Sequence, residues 1–483
     1  MNIPDGGWHG IRFDQTPATN DSSKIIHCKL EYGKAFGNGN NHSGGAIYLS
    51  HFSNLCILDC NITGNHAICC GGIYCYYSNP IIKNNKIKGN FDTGIFGGGG
   101  GIYCNQSSPK ILNNVISDNS CYTWGGGIGC HGSSANAYIM NNLIKNNYAR
   151  AAGGGIDCIG SAPIIVNNII AYNEVSPLGS CHTSGGGGIN CCDNSHPTII
   201  NNIVAENFSG FGGGIRLKNC HSLNPIFINN TIVNNIAYDW GGGIFCYTAE
   251  PIITNTIIWG NTANNGGDQV YIFDAYYYLG FFYCNIQGGL NGFAGAGSGS
   301  NFGGIYENNI DADPLFVYPV NGDYHLTEFS PCIDTGTPDT TGLNLPPWDL
   351  DGNIRIWDGN GDSLAIIDMG CYEYGAPSYG VDDTPEYQIG FKLYQNYPNP
   401  FSNSTNISFN KPTNIREKIQ IKIYNIKGQL IKQFKIKNAK TKMNIVSWNG
   451  KDENGNSLSN GIYLYRLETD NYKSKIKKMI LIK

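Results

Sequence analysis

In "GGGIDCIGSAPIIVNN" (residues 153–168) a glycine triplet leads into Ile-Asp-Cys, and a proline then opens a second apolar run that closes on an asparagine pair. Neither run reaches the roughly ten residues of 3.6-residue periodicity that a helix needs. Both are short, rich in Ile and Val, and bounded by Gly, Asn and Pro, which is the chemistry of strands and turns. The same arrangement returns along the chain. With the Ile after the glycines as marker, it falls at Ile47, Ile73, Ile102, Ile128, Ile156, Ile189, Ile215 and Ile244, with Val270 as a degenerate last member. The steps are 26, 29, 26, 28, 33, 26, 29 and 26 residues. The second run repeats too, as "PIIKNNKIKGN" (80–90), "PIIVNNIIAYN" (163–173) and "PTIINNIVAEN" (197–207).

A unit of two or three short strands cannot close its own core and must stack on its neighbours, so the repeat predicts an all-β solenoid. Nine or ten coils at about 4.8 Å each make a rod roughly 45 Å long. Strand alternation then sends Ile156 inward, Asp157 outward and Cys158 inward. The column through Cys158 reads Leu49, Cys75, Cys104, Cys130, Cys158, Cys191, Leu217 and Cys246. Because Leu replaces Cys twice, the column asks for a compact apolar group, and a buried free Cys is one. A zinc site would want tetrahedral ligands rather than a straight line. Asn85, Asn114, Asn142, Asn168, Asn202 and Asn230 predict one corner ladder of stacked amides, and Asn65, Asn90, Asn119, Asn147, Asn173, Asn207, Asn235 and Asn261 a second.

The formal charge of −5 conceals a division near residue 392. Residues 393–483 carry 17 Lys+Arg against 5 Asp+Glu, leaving 14 against 31 for the rest. All 18 cysteines precede that point. The expected organisation is a solenoid over 1–310, a cap over 311–375 shielding its open end, a linker over 376–392 and a small β-sandwich over 393–483. No run of about 18 apolar residues reads as a transmembrane segment, and the solenoid is acidic, which argues against nucleic acid.

Residues 1–310 resemble the right-handed parallel β-helix superfamily of pectate lyases and polygalacturonases. The "GGAIYLS" and "GGGI" units with their downstream Asn also resemble the repeats of chlamydial polymorphic outer-membrane adhesins. The segments "NIDADPLFV", "DLDGNIRI" and "DMGCYEYG" resemble the closing region of bacterial secreted β-helix proteins. The basic module is similar over its whole length to the type A C-terminal sorting domain of the type IX secretion system. Tyr397, Pro398, Asn399, Pro400 and Phe401 match its opening, Tyr424, Asn425 and Gly428 its middle strand, Gly461, Ile462 and Tyr463 its late turn, and Lys478 and Met479 its end. Ser402-Asn403 departs from the Asn-Pro of many members. The resemblance implies export to the surface or medium of a Gram-negative, Bacteroidota-like bacterium, with the type IX machinery as partner. It also implies an N-terminal signal; none is visible in "MNIPDGGWHGIRF", so upstream sequence is expected.

For function, the outward row beside the Cys column carries Tyr48, Tyr74, Tyr103, Asp157, Asn190, Arg216 and Phe245, and the next row Tyr76, His131, Lys218 and Tyr247. Exposed rings around a polar middle, walled by Trp124 and Trp240, predict a glycan-binding or adhesive face. The alternative is a polysaccharide lyase or glycoside hydrolase centred on Asp157, Arg216 and Lys218, with Asp193, Glu206 or Asp239 as the second carboxylate. His131 and His182 read as loop residues. Asp358, Asn360 and Asp362 are spaced like the start of a Ca2+ loop, without the Glu at position twelve. Cys332 and Cys371 are placed to pair across the cap.

Overall fold

The computed structural model describes residues 7–16, 23–37, 39–95, 97–177, 184–221, 223–274, 278–378, 392–393, 396, 398–410, 419–436, 444–469, 474 and 476–482. Residues 1–379 and 380–483 form two compact units.

The first unit is an all-β right-handed parallel solenoid with four strands per coil rather than the two or three expected. Ten, eleven, ten and nine strands stack into four sheets, called here faces A, B, C and D. In the coil that opens the sequence reading, the strands are Ile156–Ile159, Ile164–Val166, Ile169–Ala171 and Glu174–Val175. Register is strict: Ile128, Ile156 and Ile189 are direct partners, as are Cys130, Cys158 and Cys191. This coil sends one Ile and one Cys from face A inward, together with one large apolar residue each from faces B and C (Ile156, Cys158, Ile165 and Ile170), all fully buried. Face D contributes mostly small groups such as Ala149 and Ala237. The cysteine column therefore packs as filling. All described cysteines are free, and burial holds the thiols of Cys75 and Cys246 well above their ordinary pKa.

Both asparagine ladders form. Asn202 shows the pattern: its Nδ2 donates to the carbonyls of Ile165 (2.9 Å) and Ile200 (2.9 Å) and to Asn230 Oδ1 (3.1 Å). Its own Oδ1 accepts the backbone N–H and the side-chain amide of Asn168. The preceding residue, Asn201, turns the corner at φ 55°, a left-handed conformation that Asn tolerates. Buried amides thus satisfy the backbone at corners that water cannot reach.

The cap is corrected in position. Phe293, Phe302 and Tyr306 gather on Phe281 at the end of the core. The segment 311–375 instead runs along the flank. Leu343 and Leu345 cover Met140, Val166, Ile200 and Ile228, and Tyr324 and Tyr372 cover Ile203, Ala205 and Val233. Outward-facing corner asparagines fasten it: Asn201 Nδ2 donates to the Trp348 carbonyl (3.1 Å), and Asn229 Nδ2 to that of Asp368 (2.8 Å). Cys332 and Cys371 do not pair, because they pack into separate clusters, one with Leu326 and Met369 and the other with Tyr324 and Tyr372.

Within this flank segment His325 sits between two carboxylates, Nδ1 2.5 Å from Asp323 and Nε2 2.6 Å from Asp351, and stacks on Tyr372. The hydrogen bond to Asp351, followed by that to Asp323, raises its pKa to about 9. A raised histidine pKa adds stability that is complete below the unfolded value of about 6.5 and is lost as pH rises through the folded value. The flank segment is therefore expected to loosen between about pH 6.5 and 9. Limited proteolysis over that range checks this, and His325→Ala should remove that pH dependence.

Among the described residues the second unit has seven strands in two antiparallel sheets, one of Lys392–Leu393, Thr405–Asn410 and Asn444–Trp448, the other of Ile419–Asn425, Leu430–Ile436, Gly461–Glu468 and Lys477–Leu481. Phe409, Ile421, Trp448, Tyr465 and Met479 fill the core between them.

Candidate functional site

Face A carries the residues singled out from sequence, and the structure joins the middle five into one chain. Tyr103 Oη lies 3.0 Å from His131 Nδ1, and His131 Nε2 lies 2.7 Å from Asp157 Oδ2. Asn190 Nδ2 donates to Asp157 Oδ1 (2.6 Å), and Arg216 Nε donates to Asn190 Oδ1 (2.8 Å). A carboxylate only accepts, so His131 Nε2 carries a proton and Asn190 presents its amide to Asp157 and its oxygen to Arg216. Five successive coils contribute one residue each. His131 is a strand residue in this chain, which corrects its reading as a loop residue; His182 lies outside the described residues.

The expected exposure of this row is also corrected. Asp157, Asn190 and Phe245 are fully buried, and Tyr48, Tyr74, Tyr103 and Arg216 nearly so. The cause is the segment entering each coil, which folds over the outward row. A Cβ on Gly153 would stand 2.5 Å from the Cβ of Asp157, and one on Gly185 2.5 Å from Cδ of Arg216. Alternation along a strand tells inside from outside of the coil but carries no information about this overlay. Tyr48 stacks on Tyr74 (5.5 Å), whose ring meets Tyr103 edge-on, while Phe245 and Trp240 both stack on Tyr271. Tyr76, Tyr247, Lys218, Trp124 and Trp240 are half-buried at the edge of this packing.

The carboxylates do not converge. Asp193 stands at the corner between faces A and B, Glu206 at the corner between C and D accepting from Asn234 (2.9 Å), and Asp239 in the face-D strand Ile236–Trp240. With both Asp157 oxygens held by protein donors and no exposure, the described residues of face A offer no pair of solvent-facing acids.

Solvent-facing rings lie instead on face D. There the first residue of each strand points out and the second in, as in Tyr148–Ala149 and Ile236–Ala237. Tyr122, Tyr148 and Tyr238 on this face, and Tyr172 at its corner with face C, are exposed by 39%, 37%, 52% and 54%. The Arg150 guanidinium sits 4.5 Å from the Tyr122 ring centre. Sequence reasoning missed this face because its strands are only two residues long in most coils, too short to show alternation.

The calcium expectation does not fit the loop. Asp358 accepts from the backbone N–H groups of Gly361, Asp362 and Ser363, Asn360 from Asp362 and Asp362 from Leu364, so these side chains brace their own turn. Among the described residues no cluster of three His, Cys, Asp or Glu is arranged around a metal position.

In the second unit the opening motif is stitched to the last strand. Asn399 Oδ1 accepts from Ile480 N–H (2.8 Å), and its Nδ2 donates to the Lys478 carbonyl (3.4 Å). Phe401 N–H donates to the Ile480 carbonyl (3.0 Å), while Pro398 offers its carbonyl to Thr405 Oγ1 (2.8 Å). Pro400 lies between these contacts, and Tyr397 lies outside the described residues. Tyr463, two residues after Gly461, packs on Trp448.

Residues 5–170 match the family model described as "Right handed beta helix region", and residues 395–483 the one described as "Secretion system C-terminal sorting domain". The chain is a right-handed parallel β-helix protein carrying a type IX sorting domain. It is a type IX export substrate, delivered to the cell surface or extracellular space of a Bacteroidota bacterium. A search of curated proteins finds no match. The crystal structure of dimeric latent PorU from Porphyromonas gingivalis matches at 22% identity and a TM-score of 0.18, covering 19% of this chain and 9% of that one. No helix among the described residues is long and apolar enough to cross a membrane.

Proposed function

We propose that the exported solenoid is a non-catalytic binding rod that holds an extended extracellular polysaccharide along face D. The observation that carries this reading is a diagonal band of exposed rings in successive coils, Tyr122, Tyr148 and Tyr172, each two residues out of register with the next, with Tyr238 further on. Aromatic rings present large apolar surfaces to the faces of sugar rings while the phenol oxygen meets hydroxyl groups. Because the rings step sideways by two residues from coil to coil, the band suits an extended polymer that crosses the coils obliquely rather than along the axis. The buried chain from Tyr103 to Arg216 then serves to hold the coils together.

The test is affinity electrophoresis of the full chain in gels containing plant, algal or host polysaccharides, with mass spectrometry of the same polymers after incubation. Removing three rings, as Tyr122→Ala, Tyr148→Ala and Tyr172→Ala together, should weaken retention on the order of a hundredfold. Retention unchanged by the triple variant would overturn the placement on face D. Shortened or unsaturated oligosaccharides, lost in Asp157→Asn, would establish the lyase or hydrolase in its place.

A further inference from the structure

Asparagine does not hold every position of the first ladder. In the first two described coils the positions are held by Cys28 and Cys60. Cys60 occupies the asparagine position in the backbone: its N–H donates to Asn85 Oδ1 (2.9 Å), as each ladder N–H does to the next coil. Its Sγ contacts the Ile25 carbonyl (3.4 Å), the place where Asn85 Nδ2 reaches the Ile57 carbonyl. The N–H of Cys28 in turn points at Cys60 Sγ, 3.4 Å away. The two cysteines are therefore stacked directly, one coil apart.

That stacking differs from the cysteine column inside the solenoid. A coil spacing of about 4.8 Å lies within the Cα separation of roughly 4.4–6.8 Å that a disulfide spans. The column cysteines sit on flat in-register strands and are fully buried, sealed from any oxidant. Cys28 and Cys60 sit instead at a corner outside the sheets, after residues 27 and 59 in left-handed backbone. Cys60 is buried but Cys28 is half-exposed, at the floor of an open depression edged by Lys29 and Lys86. The exported chain also passes through and ends in oxidising surroundings, where accessible thiol pairs are converted to disulfides.

We propose that Cys28 and Cys60, both free thiols in this structure, close a disulfide on export that staples the first described coil to the second. The step is an exchange. The Cys28 thiolate attacks an external disulfide of the glutathione or thiol-oxidase class and releases one reduced thiol. Cys60 then displaces the second, so that two S–H bonds are replaced by one S–S bond, with both protons and both electrons leaving on the oxidant. The staple replaces the amide rungs that the ladder lacks at this end.

The full chain, purified reduced, is equilibrated with oxidised glutathione, its remaining thiols are alkylated, and it is digested without reductant. The expected product is one peptide pair joined through Cys28 and Cys60, lighter by two hydrogens, and absent from both Cys28→Ser and Cys60→Ser. Hydrogen exchange of the strands Ser23–Ile26 and Lys29–Glu31 should slow at least tenfold on oxidation in the wild type and not in Cys28→Ser. Recovery of both cysteines alkylated, of a stable mixed disulfide on Cys28, or of either cysteine joined elsewhere would overturn the proposal.

Discussion

Replacing Asn202 with leucine lowers the stability of the solenoid by on the order of 4 kcal/mol, a large share of what any domain has to lose. The side chain is fully buried and makes contacts in three coils. Leucine matches its size but leaves the Asn168 N–H without an acceptor and the carbonyls of Ile165 and Ile200 without their amide donor. Each buried polar group stranded in this way costs roughly 1–3 kcal/mol. Thermal unfolding followed by circular dichroism checks this, with Asn84→Gly as comparison: Asn84 turns the same kind of corner at φ 58° with its side chain exposed, and glycine accepts that backbone. That variant should melt within a degree or two of the wild type. A similar melting point for Asn202→Leu would remove the ladder from the account of why these coils stack.

Deleting residues 395–483 is expected to abolish appearance of the protein at the cell surface and in the medium, measured by fractionation and immunoblotting of the producing bacterium. The solenoid should then accumulate inside the outer membrane, folded, because the two units have separate cores. A point change reads the same dependence more finely. Asn399→Ala removes the acceptor for Ile480 N–H and the donor to Lys478, and so detaches the opening motif from the final strand. The loss of two such bonds costs about 1–3 kcal/mol of this small domain's stability, and exported protein should fall severalfold. Surface delivery at the normal level by the truncated chain would place the address elsewhere in the molecule.

The fold was legible because one residue type stands at one place in coil after coil. Ile156 and its equivalents, the Leu-for-Cys replacements and the paired asparagines each have a single physical use in a stacked coil, so their recurrence identified strands, corners and filling together. The candidate site was legible only in its membership. Asp157, Asn190 and Arg216 are neighbours as register requires, but their burial depends on segments carrying Gly153 and Gly185 that fold over them, and alternation is blind to that. The flank segment left a signal that sequence reading passed over. In the third coil the outward positions that end the strands of faces B and C are Lys83 and Lys88; in the sixth the same positions are Val166 and Ala171, both buried. Strands apolar on both faces ask for a covering layer, and that is where residues 311–375 lie.

The flank segment has a mechanical consequence. Pulled along its axis, a solenoid carries load through the hydrogen bonds of one coil to the next in series, so the weakest junction yields first and releases its coil, about 95 Å of extended chain for some 28 residues. From Met140 to Ile257, residues 311–375 lie in contact with five consecutive coils at once. Over that span the load is shared, and no junction can open without also shearing the segment off its apolar bed. Under such a pull the described coils before Met140, where the flank is bare, should therefore give way before the braced ones.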